Sequence, residues 1–222
     1  MEPTSNCSSA SGGVRFAGAA AIMQAVESQK LILYHTDLRD QWPEEGARAL
    51  RARLPYLKRL SLGRGQAARA SLAGVALALR ALARLRGAPV QPRELAFSTQ
   101  AKPQLAGPGG APPAWDFSIS HSGPFVGCAA LGGAQVGFDL EFGSDARLPE
   151  WVAREAVVKG AGLGVRALRE VQLSAAGATC RGARWHARTL EHFPGAAACL
   201  MTSTAVRELV VRAVPLAELF GP

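Results

Sequence analysis

The run Val136-Gly137-Phe138-Asp139-Leu140-Glu141 sets two carboxylates at alternate positions. In a strand, Asp139 and Glu141 then project from one face while Val136, Phe138 and Leu140 take the other. Two oxygen ligands aimed at one point suit a hard cation such as Mg²⁺, which takes oxygens in near-octahedral geometry and is commonly shared between carboxylates and substrate phosphates. Ten residues after Glu141 comes Trp151-Val-Ala-Arg-Glu-Ala-Val-Val-Lys, with Glu155 and Lys159 at i and i+4 of one helix face. Glu155 completes a three-carboxylate set, and Lys159 is placed to offset charge on a bridging or departing phosphate oxygen. Upstream, Ser118-Ile119-Ser120-His121-Ser122 alternates as a strand does and runs into Gly123 and Pro124, a strand end at which His121 suits binding a phosphate or orienting a nucleophile. Lys102, before Pro103, is a further presentable cation in a chain with only four lysines.

Each piece has a plainer reading. Asp-x-Glu also describes the solvent face of an amphipathic strand, Glu155 and Lys159 an ordinary surface pair, and His121 a residue satisfied locally in its turn. The Ser/His strand is not a hydrolase signature, because there is no Gly-x-Ser-x-Gly elbow and adjacent strand residues face opposite ways.

The elements that must position these residues follow from periodicity. From Lys30 the run LILYHTDL reads as a strand, and Pro43 and Glu44 open a helix to about Leu60, broken at Pro55. Gln66 to Arg86 is the clearest helix, with Leu72, Val75, Ala76, Leu79, Leu82 and Ala83 on one face and Gly87 as its stop. After Pro92 come strand-like runs (LAFSTQ, DFSISHS, FVGCAALG, VGFDLEF) with a Gly/Pro loop at Gly107 to Pro113 and a hairpin turn expected at Gly132 and Gly133. Trp151 to Gly160 is a helix, and EVQLS, ARWHARTLE, AAACLMTS and ELVVRAV are strands. The order predicts an α+β fold of two similar halves, 29–134 and 135–222, behind a disordered tail at 1–28 in which Met23 is an alternative start.

A 48% hydrophobic and 19% charged composition is that of a folded globule, and no apolar run is long enough to span a bilayer. The net charge of +8 favours an anionic partner. Its scattered arginines weaken a nucleic-acid reading, so a phosphate-rich ligand or an acidic protein fits better. Cys7, Cys128, Cys180 and Cys199 lack metal-ligand spacing and point to a reduced, cytoplasmic setting.

Taken together and in this order, the motifs AKP, FSISHSG, VGFDLE and WVAREAVVKGAGLG resemble those of the Sfp-type 4′-phosphopantetheinyl transferases, from Lys102 to Gly164. More loosely, Lys58, Arg59, Arg64 and Arg69 resemble that family's coenzyme A-binding N-terminal part. The resemblance implies two α+β halves in pseudo-twofold arrangement and a monomer with its site between them. It implies Asp139, Glu141 and Glu155 holding Mg²⁺ and Glu155 and Lys159 as catalytic residues. Lys58, Arg69, Lys102, Ser120, His121 and Lys159 would bind coenzyme A. The implied reaction moves phosphopantetheine to a serine of an apo acyl or peptidyl carrier protein, with no nucleic acid or membrane as partner. Two departures stand out. Arg154 replaces the family's lysine, and only nine residues, Phe142 to Glu150, separate Glu141 from Trp151 where the family has a longer carrier-docking segment. Nine extended residues still span about 30 Å, enough to bring Glu155 to the two strand carboxylates. The competing expectations are a degenerate relative that binds coenzyme A or a carrier without catalysis, and a basic nucleic-acid-binding protein.

Overall fold

In the computed structural model, residues 30–98, 102–106 and 114–221 are described. The expected tail at 1–28, Cys7 and the loop Gly107 to Pro113 lie outside the described residues. The chain is α+β, with strands β1 (Lys30–Asp37), β2 (Leu95–Ala96), β3 (Gln104–Leu105), β4 (Trp115–Ser122), β5 (Phe125–Gly132), β6 (Val136–Phe142), β7 (Gln172–Ser174), β8 (Gly177–Cys180), β9 (Ala183–Thr189), β10 (Ala196–Thr202) and β11 (Glu208–Ala213). The helices are α1 (Glu44–Arg53), α2 (Tyr56–Ser61), α3 (Gly65–Arg86), α4 (Leu148–Gly160) and the short α5 (Leu216–Leu219). Pro55 divides α1 from α2, as its missing N–H requires. Acidic Glu44 and Glu45 open α1 and basic Arg51 and Arg53 close it, in the sense the helix dipole favours.

One sheet runs β11-β1-β5-β4 and the other β6-β10-β9-β8-β7, with β2 and β3 as a separate pair. Because strand side chains alternate, each sheet is apolar on both faces and serves two cores. Ile32, Tyr34, Phe117, Val126, Cys128 and Ala130 meet Leu72, Val75, Leu77 and Leu82 of α3. Leu31, Leu33, Ala129 and Leu131 on the reverse of that sheet meet Phe138, Leu140, Ala198 and Leu200 of the other. On its outer face the second sheet packs Cys199, Met201 and Trp185 against Val152, Ala156 and Val157 of α4. The layer order is therefore helix, sheet, sheet, helix. Phe117, Phe138 and Trp185 are fully buried, and each such burial contributes about 2–3 kcal/mol.

Three expectations are corrected. Gly132 and Gly133 do not turn a hairpin, because β5 and β6 belong to different sheets and the chain crosses between them there. Only Leu95 and Ala96 of LAFSTQ form a strand among the described residues. The last strand does not stay with the second sheet, since β11 pairs in parallel with β1, Leu31 opposite Leu209 and Leu33 opposite Val211. The chain end thus closes the edge of the first sheet. No helix among the described residues is long and apolar enough to cross a membrane.

Candidate active site

Strand β6 carries Val136, Phe138 and Leu140 into the inter-sheet core, which leaves Asp139 and Glu141 on the face covered by α4. The two elements approach backbone to backbone. A Cβ at Gly137 would stand 1.7 Å from the Ala156 carbonyl oxygen, and one at Gly160 would stand 2.6 Å from the Trp185 ring. Glycine at both positions lets α4 lie directly on β6, so that Glu155 and Lys159 come to the two strand carboxylates.

Lys159 Nζ donates to Asp139 Oδ1 at 2.5 Å and to Ser120 Oγ at 3.0 Å. Ser120 Oγ donates to the same Asp139 oxygen at 2.7 Å and accepts the Leu140 N–H at 3.4 Å. Ser122 Oγ donates to Glu141 Oε1 at 2.9 Å and accepts the Phe142 N–H at 3.1 Å. Asp139 is 3% exposed, so its charge depends on these donors. Glu155 differs from its neighbours. It has no hydrogen bond or ion pair with the described residues, and partial burial followed by the charge of Asp139 raises its carboxyl above the usual range, with Lys159 opposing and Glu141 reinforcing. On β4 the His121 side chain is exposed, and desolvation by its surroundings and then the charges of Lys159 and Lys58 lower its pKa. At neutral pH the imidazole is therefore uncharged. Lys58 itself donates to Ser71 Oγ at 2.9 Å and lies 5.1 Å from the Phe97 ring centre, and burial lowers its pKa.

The structure thus brings together Asp139, Glu141, Glu155, Lys159 and Ser120, whereas His121, next to Ser120 on β4, is turned to the other face of the strand and is linked to the group through the charges of Lys159 and Asp139, with Lys58 also acting on it. Beside Lys159 lies a cleft of about 230 Å³ walled by Pro103, Ser118, Ile119 and Leu163. Two expected ligand-binding residues are placed differently. Lys102 lines that cleft, but its Nζ is engaged by Asp116 Oδ2 at 2.6 Å and by the Val136 carbonyl at 3.1 Å. Arg69 pairs with Glu44 at 3.1 Å and lies two residues, hence about 200° around α3, from the Ser71 that Lys58 bonds. It does not join the Lys58 and His121 group.

Sequence reasoning missed the seam that aligns the site. Asp116 accepts the Val136 N–H at 2.8 Å, and Ser118 donates to the Phe138 carbonyl at 3.3 Å. With Ser120 on the Leu140 N–H and Ser122 on the Phe142 N–H, the even-numbered side chains of β4 bond the even-numbered backbone of β6. Side chains here do what a backbone ladder does elsewhere, joining the edges of two sheets. The signal was present in the serines at 118, 120 and 122, since polar residues on one strand face that become buried must find partners.

Arg154 is also accounted for. Its guanidinium holds Glu150 Oε1 at 2.8 Å and the Val171 carbonyl at 2.5 Å, bracing α4 to the segment that follows it. Cys199, opposite Asp139 in the β6–β10 register, is buried and its thiol is pushed up to about 11, so it is no nucleophile.

For a cation, the donor chemistry fits, since Glu155 of α4 is turned toward the two β6 carboxylates and forms no ion pair among the described residues. Among the described residues, no three such side chains are gathered tightly enough to hold a metal ion as they stand. Asp139 is engaged by Lys159 and Glu141 by Ser122. In the comparisons with known proteins, the chain matches no family model and no curated protein.

Proposed function

We propose that this protein transfers the 4′-phosphopantetheine group of coenzyme A to a serine of an acyl or peptidyl carrier protein, with Mg²⁺. The observation that carries the reading is Glu155, an unpaired carboxylate of raised pKa held beside Asp139, Glu141 and Lys159 at the strand end that bears His121. A helix layer on the outer face of each sheet supports two similar halves facing each other across the inter-sheet core, with β11 returning to the first.

Asp139, Glu141 and Glu155 would hold the cation, which supplies charge neutralisation at the coenzyme A diphosphate. Neutral His121 donates a hydrogen bond to a phosphate oxygen, and Lys58 and Lys159 supply positive charge. Glu155 takes the proton of the carrier serine as that oxygen bonds to the β-phosphorus. The bond from this phosphorus to the bridging oxygen breaks, and its electron pair leaves with adenosine 3′,5′-bisphosphate. A carboxyl of raised pKa is the better base for this step once ionised. Lys159 offsets the charge on the departing phosphate. Lys102 and Ser120 act one step back, Lys102 by fixing β4 to β6 and Ser120 by orienting Asp139.

The test is the product balance. Incubation with coenzyme A, Mg²⁺ and an apo carrier should release adenosine 3′,5′-bisphosphate in step with holo-carrier. Coenzyme A binding without release would favour a non-catalytic relative instead.

A further inference from the structure

A second basic pocket lies away from the carboxylate site, between α1 and the start of α3. It encloses about 480 Å³. Glu44, Ala47, Arg48 and Arg51 line it from α1, and Gly65, Ala68, Arg69 and Leu72 line it from α3. Both sets fall at i, i+3, i+4 and i+7, so each helix turns one continuous stripe toward the other. Arg64 and Trp42 complete the wall. The one acid that lines it among the described residues, Glu44, is committed to Arg69, whose guanidinium also lies 5.3 Å from the Trp42 ring centre. Arg48, Arg51 and Arg64 have no acidic partner among the described residues. Three guanidinium groups therefore share one concavity with no compensating charge.

We infer that this pocket binds a compact polyphosphate anion, at a site separate from the one proposed for coenzyme A. Guanidinium forks match phosphate oxygens two at a time, and arginine is the residue of choice for that geometry. The volume lies within the range of small-molecule sites. A concave pocket suits a short anion better than a nucleic-acid strand, whose phosphates are tracked along an extended groove. The pocket is not the Lys58 and His121 site: neither residue lines it, and the Ser71 that Lys58 bonds lies about 110° around α3 from the centre of the stripe. With Trp42 packed beneath Arg69 and edge-on to Phe220 at 5.1 Å, occupancy can be read from its fluorescence as well as by heat.

The test is titration calorimetry of the whole protein with inorganic pyrophosphate and triphosphate, at low salt and with chelator present so that the carboxylate site cannot recruit anion through a metal. Binding should weaken at least tenfold in Arg48→Gln/Arg51→Gln and in Arg64→Gln, at unchanged melting temperature. It should be unaffected by Lys58→Ala or Glu155→Gln. Failure of the wild-type protein to bind either anion would overturn the inference, as would binding that survives the arginine changes or falls equally with Lys58→Ala. An oligonucleotide that binds the same arginines more tightly than triphosphate would overturn the small-anion reading. None of these results depends on whether carrier proteins are modified.

Discussion

Glu155 concentrates the chemistry at the residue scale. Its carboxyl is raised by burial and by Asp139 and Glu141, so ionising it costs more in the folded chain than in the unfolded one. The stability it contributes is fully present below the ordinary glutamate pKa and is lost as pH rises through the higher folded value. Glu155→Gln should therefore stabilise the metal-free protein at pH 7, by up to about 1 kcal/mol, as when a strained functional group is relaxed. The gain should fade as the pH is lowered toward 4. Denaturant titrations at several pH values read this directly, and a gain that did not depend on pH would remove the electrostatic account of this residue. That Asp139, Glu141, Glu155 and Lys159 would meet was legible from residue type and spacing. The partners of Lys102 and Arg69 were not, because a lone cation in a sequence does not say which acid it will meet. Asp116 and Glu44 took them.

Between elements, two contacts set the site's geometry. Gly137 lets the Ala156 carbonyl approach β6, and Gly137→Ala would place a methyl 1.7 Å from that oxygen. A core overfilled in this way loses about 3 kcal/mol, and α4 should be pushed off the strand with Glu155 and Lys159 on it. Thermal melting and activity should fall together. A variant of wild-type stability would show that α4 does not need the close approach. The seam gives the second test. Lys102 and Asp116 are largely buried, at 12% and 18% exposure, and removing one member of such a pair costs about 3–5 kcal/mol. Lys102→Met should be strongly destabilised, and Lys102→Met/Asp116→Asn should recover most of the loss. Were Lys102 a coenzyme A contact instead, stability would be unchanged and affinity would fall. Alternation and helical spacing revealed nearly all the strands and both long helices, since those patterns are local. They did not reveal that β5 and β6 part into different sheets or that β11 returns to β1, because such pairings are settled by distant faces.

For the molecule as a whole, the layer order leaves Glu155 on the helix that covers the second sheet and His121 on the edge strand of the first, so the site depends on the seam between them. Only Gly143 to Arg147 link β6 to α4, with Arg147 turned back onto Asp145 at 2.7 Å. That short link brings α4 directly over Asp139 and Glu141 while leaving little surface there to receive a partner. A panel of apo carrier proteins should therefore be modified with broad and weak selectivity, visible as high KM values of similar size. Sharp preference for one carrier would place docking elsewhere on the chain. Magnesium with coenzyme A should raise the melting temperature, by about 2.7 kcal/mol of stabilisation at a hundredfold excess over Kd, and Glu155→Gln should lose most of that gain. The central claim is tested most directly by intact-mass spectrometry of an apo carrier protein incubated with coenzyme A, Mg²⁺ and either the wild-type chain or Glu155→Gln. The carrier should gain one phosphopantetheine mass with the wild type and none with the variant, whereas no gain with either, across the carrier panel, would contradict transfer.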